Sequence, residues 1–153
     1  MAVALRDALN PASRRWLEQA YSRWLGEVGA SVMEVGRAAA AVAALLESRE
    51  THLLLIERDG VPAGFAVVRE HAATRRIDEF YVDSALRRLG VGREAARLLL
   101  ERFAGEWEVV TLPRDISALQ FWRAVLREHA PGRVTERHLG GQIVQRFSSR
   151  GAR

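Results

Sequence analysis

The sequence predicts an α/β (α+β) fold, a mixed and mostly antiparallel sheet of about six to seven strands with helices on both faces. Three observations predict it. Strand-like apolar segments flank Asp59-Gly60 and again flank Gly140-Gly141, so each pair reads as a hairpin. Between Arg75 and Leu112 the order is strand, helix, strand, which predicts one parallel pair. Helical patterns stand before the first hairpin and on either side of the last parallel strand.

Each element has a local reason. Val3 to Asp7 alternates and reads as a short first strand. Asn10-Pro11 opens a helix, with Pro in the first turn where its missing N–H is harmless. Trp16, Leu17, Ala20, Tyr21, Trp24 and Leu25 recur at helical spacing and form one apolar face. The Ala-rich run inside Met33–Leu46 predicts one further helix. His52–Glu57 and Ala63–Arg69 are the first hairpin, and Arg75–Asp83 is the next strand. A helix follows from Val91 to Ala104, then a buried-type strand from Glu108 to Leu112. Asp115 is a good N-cap for a helix through His129, and Pro131-Gly132 ends it. Val134–Leu139 and Gln142–Phe147 close the chain as a hairpin. Residues 1–148 read as one domain and residues 149–153 as a loose tail.

Composition excludes several classes. The chain has no Cys, so disulfides, thiolate metal sites and a Cys nucleophile are all ruled out. His52, His71, His129 and His138 lack metal-ligand spacing, and no metal is expected. Of the four, His71 is placed near the acceptor side of the site discussed below. No apolar run approaches the roughly 18 residues of a membrane span, and Asp7, Asn10 and Pro11 interrupt any leader-like start. The expected location is cytoplasmic. Net charge is +4, yet all 23 basic residues are Arg, spread through the chain and interleaved with Glu. That pattern reads as a solvated surface rather than a nucleic-acid face.

Chemistry concentrates at Val82-Asp-Ser-Ala-Leu-Arg-Arg-Leu-Gly-Val-Gly92, a loop between a strand and a helix. Gly90 and Gly92 let an anion approach the backbone, and the following helix offers unpaired N–H groups and the positive end of its dipole. Arg87 and Arg88 add charges that suit phosphate. The loop lacks the G-x-x-x-x-G-K-[ST] of triphosphatases and the G-x-G-x-x-G of dinucleotide sites. Its R-x-x-G-x-G, with the strand before it, resembles the acetyl-CoA loop of the GNAT superfamily of N-acetyltransferases. Asp115-Ile-Ser-Ala-Leu-Gln-Phe-Trp122 resembles that superfamily's later helix signature, at a family-like distance.

The resemblance implies a GNAT-like sheet that splays into a V after its fourth strand, and a bulge in that strand. It implies acetyl-CoA as co-substrate, with the backbone of Arg87, Arg88, Leu89, Gly90, Val91 and Gly92 on the pyrophosphate and Phe80 to Val82 pairing with pantetheine. Asp115, Ser117, Phe121 and Trp122 join the cofactor set, although Asp115 stands where the family usually has Asn and so lacks an amide donor.

Acetyl transfer to an amine needs a base for the ammonium, a donor for the oxyanion and a route for the leaving thiolate. Glu79, three residues before Val82, is the expected base, acting through a water; the bland alternative is an ion pair with Arg69 or Arg75. Simple alternation puts Ile77, Glu79 and Tyr81 on one face and Asp78, Phe80 and Val82 on the other. By resemblance, the backbone N–H of Tyr81 or Val82 is the oxyanion donor. Many relatives carry a Tyr acid at the Trp122 position, and indole cannot serve; Tyr81 is the candidate substitute, its simpler role as a strand aromatic is favoured over that, and the alternative is a thiolate that leaves unaided and is protonated later. The Trp16, Tyr21 and Trp24 stripe reads as core, or else as lining of the acceptor pocket. The expected activity is acetyl transfer from acetyl-CoA to a primary amine on a small molecule or peptide. The rival is a GNAT-fold sensor that binds acyl-CoA without turnover. No membrane or nucleic-acid partner is expected, and the last hairpin is the contact to suspect if the chain forms a homodimer.

Overall fold

In the computed structural model, which describes residues 1–7, 10–130 and 132–150, the chain runs β1 (Val3–Asp7), α1 (Pro11–Glu27), α2 (Val32–Gly36), α3 (Ala38–Glu47), β2 (Thr51–Arg58), β3 (Val61–His71), β4 (Thr74–Val82), α4 (Val91–Arg102), β5 (Gly105–Thr111), α5 (Ile116–His129), β6 (Thr135–Leu139) and β7 (Gln142–Ser149). The strands form one sheet in the order β1-β2-β3-β4-β5-β7-β6. Every neighbouring pair is antiparallel except β4 with β5.

Local chemistry explains the joints. The Asn10 side chain accepts from the Ser13 N–H at 2.8 Å, and Pro11 takes the first helical position. Asp59 and Gly60 both have positive φ, as do Gly140 and Gly141, the backbone that tight two-residue hairpins require. Asp115 caps α5 by accepting from the Ala118 N–H at 3.1 Å.

Some boundaries differ from expectation. The single helix expected over Met33–Leu46 is two, broken at Arg37, whose φ of −103° and ψ of 15° leave the helical region. Ser31 and Glu34 form a capping box that holds α2 as a short separate turn, and Gly36 weakens its continuation. The break turns α3 so that Ala38 and Val42 reach the core. β5 begins at Gly105, earlier than expected, and Leu112 lies outside it. β7 runs on to Ser149, which pairs with Gly105 and is buried, so the strand takes in one residue assigned to the tail. Pro131 and residues 151–153 lie outside the described residues.

Two apolar layers sandwich the sheet. On one face α4 and α5 cover Leu54, Ala66, Val68, Ile77, Trp107, Val109 and Phe147. On the other, α1 and α3 cover Leu53, Leu55, Phe65, Val67 and Tyr81. The β4–β5 pairing ends early. It spans only Thr74–Ile77 against Glu106–Val109, so the rest of β4 parts from β5 and the sheet opens into a V.

Candidate active site

The V has β4 as one wall, and an irregularity decides what β4 presents. Val67 pairs with Glu79 and Val68 with Ile77, leaving Asp78 as the extra residue of a β-bulge. The bulge reverses the alternation expected from sequence. Ile77 faces α4 and α5, while Glu79 and Tyr81 face α1 and α3. Asp78 does not point away from Glu79 as simple alternation requires. It pairs at 2.6 Å with Arg69, which shares the Val67 face.

Glu79 is largely buried, and its hydrogen-bond partner is Tyr21 of α1, whose hydroxyl donates to Oε1 at 2.8 Å. The other oxygen, Oε2, is buried with no partner among the described residues. Burial pushes the carboxyl up to about 7; nearby Asp78 adds to the rise, while the Tyr21 bond and Arg69 oppose it. The Tyr21 phenol is itself pushed well above its usual range, first by burial and then by the Glu79 charge. Among the described residues no ion pair neutralises Glu79. Arg69 is taken by Asp78, and Arg75 by Glu70 at 3.2 Å. A carboxylate poised near neutrality with a free oxygen is suited to accept a proton.

The backbone edge of β4 faces the V. The Asp83 N–H bonds the Ala63 carbonyl of β3 at 2.8 Å, so by alternation Tyr81 also directs its polar groups to β3, and Phe80 and Val82 direct theirs into the V. Of the two expected oxyanion donors, Val82 therefore has its N–H toward the V and Tyr81 does not. The Tyr81 carbonyl meets Gly64 so closely that a Cβ there would stand 2.1 Å from its oxygen. Only glycine admits this approach. Across the opening, Thr111 at the end of β5 is 7% exposed, and its hydroxyl has no partner among the described residues.

The loop beyond β4 is a 3₁₀ turn, Ser84–Leu86, followed by two left-handed residues, Arg88 with φ 65° and Gly90 with φ 85°. Gly90 is the N-cap of α4 and offers no side chain to the helix's first N–H groups, which stay free for an anion. Arg88 is exposed. Arg87 is not the free charge expected: its Nε donates to the Val82 carbonyl at 2.9 Å, its guanidinium pairs with Glu27 of α1 at 2.6 Å and lies over the Tyr81 ring. It ties the loop to β4 and α1. Gly92 packs beside Phe121 and Val82, and Phe121 lies against Phe80, lining the α5 side of the V. Asp115 caps α5 from an exposed position beside Ser117, and Leu89 is half-exposed. Trp122 is 4% exposed and packs edge-on to Phe80. Tyr81 is 3% exposed, stacked on Phe65 beneath Arg87, a packing that favours a structural role. His71 is far from the V, at the β3–β4 turn, because it pairs with Thr74 at the opposite end of β4.

This arrangement of splayed β4, left-handed glycine loop and helix N-terminus agrees with a family model. The model of the acetyltransferase (GNAT) family matches residues 6–126. The chain belongs to the GNAT family. Solved GNAT structures share its fold at low identity. An N-acetyltransferase, PaiA, from Thermoplasma acidophilum in complex with coenzyme A is 11% identical with a TM-score of 0.67, covering 97% of this chain and 99% of its own. An acetyltransferase from Thermus thermophilus is 13% identical with a TM-score of 0.74, covering 96% of each chain. The ribosomal-protein-S18-alanine N-acetyltransferase of Escherichia coli is 12% identical with a TM-score of 0.64, covering 99% of this chain and 97% of its own. No curated protein is similar enough in sequence to match. Membership makes the chain an acetyltransferase-family protein, and the seven-stranded splayed sheet is the GNAT fold. Among the described residues no helix is long and apolar enough to cross a membrane, and no His, Asp and Glu cluster could hold a metal ion.

Sequence reasoning missed three residues of this GNAT site. For Tyr21 it missed the contact rather than the place: the stripe reads as core or as lining of the acceptor pocket, and the residue is both core and the partner of Glu79. Gly64 carried a signal, since an isolated glycine inside a strand marks a close backbone approach. Thr111 carried none.

Proposed function

We propose that this GNAT protein is an N-acetyltransferase that moves the acetyl group of acetyl-CoA to a primary amine, with Glu79 as general base. The observation that carries this reading is the buried Glu79 carboxyl of β4, raised to about 7, with Oε1 on Tyr21 and Oε2 unpartnered among the described residues. The left-handed loop and the α4 N-terminus fit the donor's pyrophosphate, and the inward-facing groups of Phe80 and Val82 fit its pantetheine amides. Arg87 then gives up the Val82 carbonyl to the incoming amide.

An alkylammonium has a pKa near 10 and must lose a proton before it attacks. Glu79 takes that proton, directly or through one water at Oε2. The amine nitrogen bonds to the thioester carbon, the Val82 N–H supports the oxyanion, and the carbon–sulfur bond breaks. The nitrogen's second proton leaves to solvent, and the thiolate departs without a side-chain acid, because Trp122 has no acidic proton and Tyr81 is packed away. The coenzyme A complex of the Thermoplasma neighbour supports the donor, and the alanine named for the Escherichia coli neighbour supports an amine acceptor. Calorimetry with acetyl-CoA, followed by thiol release with an amine panel, tests this. Binding with turnover is expected. Binding without release of thiol from any amine favours the sensor, and absence of binding removes both.

A further inference from the structure

The sheet face that carries Glu79 is only half covered. α1 and α3 pack over β2 and β3, whereas Glu108, Val110, Val144, Arg146, Thr135 and Arg137 lie on the same face of β5, β7 and β6, where no helix forms part of the core. A charge ladder crosses this face from the bulge beside Glu79. Arg69 pairs with Asp78 at 2.6 Å, Arg76 with Glu108 at 2.8 Å, and Arg146 with Glu108 at 3.2 Å. Arg76 and Glu108 join β4 to β5 at the vertex of the V, one step before the strands part. Beyond them Arg137 is exposed, and no described ion pair engages it. Arg137 and Arg146, with Thr135, Leu139 and Val144, line a depression of about 110 Å³. Arg69, Arg76 and Arg146 share the two carboxylates Asp78 and Glu108, so among the described residues Arg137 is the cation of this stretch without an ion pair, and Glu79 is the further carboxylate at its β4 end. Glu106 lies lower on the same face, below the vertex, where it accepts from Ser148.

We infer that the acceptor is an elongated amine whose far end carries a carboxylate or phosphate, held by Arg137 and Arg146 while the amine lies at Glu79. This rests on the acetyltransferase reading and names its substrate class. Register supports the alignment: Arg137 pairs with Val144, which pairs with Val110, one residue past the level of Ile77. From β4 to β6 is three strand spacings, roughly 14 Å and more where β4 and β5 part. An extended peptide covers that span with about four residues. Guanidinium groups suit both anions bidentately, and a polycationic amine meets repulsion on this face.

The test uses four amidated tetrapeptides, Ala-Gly-Gly-X, with X as Glu, phosphoserine, Gln or Lys. It measures thiol release and, by calorimetry on the CoA-loaded protein, Kd. The Glu and phosphoserine peptides are expected to lead the Lys peptide by about tenfold in both readouts, with the lead shrinking as salt rises from about 50 to about 500 mM. The larger of the two anionic leads identifies carboxylate or phosphate as the natural group. Arg137→Glu reverses the order, and Arg137→Gln with Arg146→Gln brings the ratio toward one. These side chains are exposed, and the peptide ratio is internal to each variant, so a modest loss of stability leaves the readout intact. Equal peptides, a leading Lys peptide, a ratio that survives the double variant, or no measurable binding of any peptide at about 5 mM overturns the proposal. Failure of the underlying reading is separate: acetyl-CoA then gives no heat, whereas a wrong acceptor leaves acetyl-CoA binding in place.

Discussion

Glu79→Gln separates the two consequences of holding a carboxyl near neutrality, and its effect on stability can be worked out. In the unfolded chain this carboxyl titrates near 4.5, and burial in the folded protein raises it to about 7. The folded state therefore keeps a proton that the unfolded state releases. The stability this group contributes is complete below pH 4.5 and is lost as pH rises through 7. Between pH 5 and pH 8 the loss comes to about 2 to 3 kcal/mol, at roughly 1.36 kcal/mol per pKa unit. Glutamine stays neutral throughout, and its amide oxygen can accept the Tyr21 hydroxyl. Urea unfolding of both proteins at pH 5 and pH 8 isolates the group, because every other titration is shared. The variant should be about 2 to 3 kcal/mol more stable relative to wild type at pH 8 than at pH 5. Parallel pH dependences for the two proteins would refute the claim that Glu79 is buried without a compensating charge.

Three further substitutions probe the surroundings. Tyr21→Phe removes a hydrogen bond that favours the ionised form, so the acid limb of the pH–rate profile should move to higher pH; an unmoved limb would leave Tyr21 a packing residue only. Gly64→Ala forces a methyl against the Tyr81 carbonyl and should lower stability by about 1 to 3 kcal/mol in urea titrations, with weakened acetyl-CoA binding because β4 must shift. Trp122→Phe should lower stability by about 1 to 3 kcal/mol through lost packing while kcat stays within a few-fold; a loss of about a hundredfold would assign the indole a part in the chemistry.

The loop and cap geometry expected for the donor side was legible because its determinants are local. Arg87 to Gly92 and Asp115 to Trp122 are short segments whose glycines, cap and aromatic spacing reflect their own backbone. Glu79 was legible as a costly carboxylate in a central strand. Its face was not: the resemblance implies a bulge in this strand, but its position at Asp78, which sets the face, depends on the pairing of Val67 and Val68 with β4. Tyr21 and Glu79 are 58 residues apart, and neither segment encodes their contact. Arg87 shows what a motif leaves out: its charge suits phosphate, and its backbone stays in the loop, but Glu27 and the Val82 carbonyl engage its guanidinium through contacts no local segment encodes.

The most direct test of the central claim is kcat/KM for thiol release against pH, measured for wild type and Glu79→Gln with the same amine, alongside acetyl-CoA affinity. The wild-type profile should rise through about pH 7. The variant should lose about a hundredfold or more at neutral pH, lack that limb and bind acetyl-CoA as tightly as wild type. Turnover equal to wild type, with the limb intact, would contradict the assignment of Glu79 as the base.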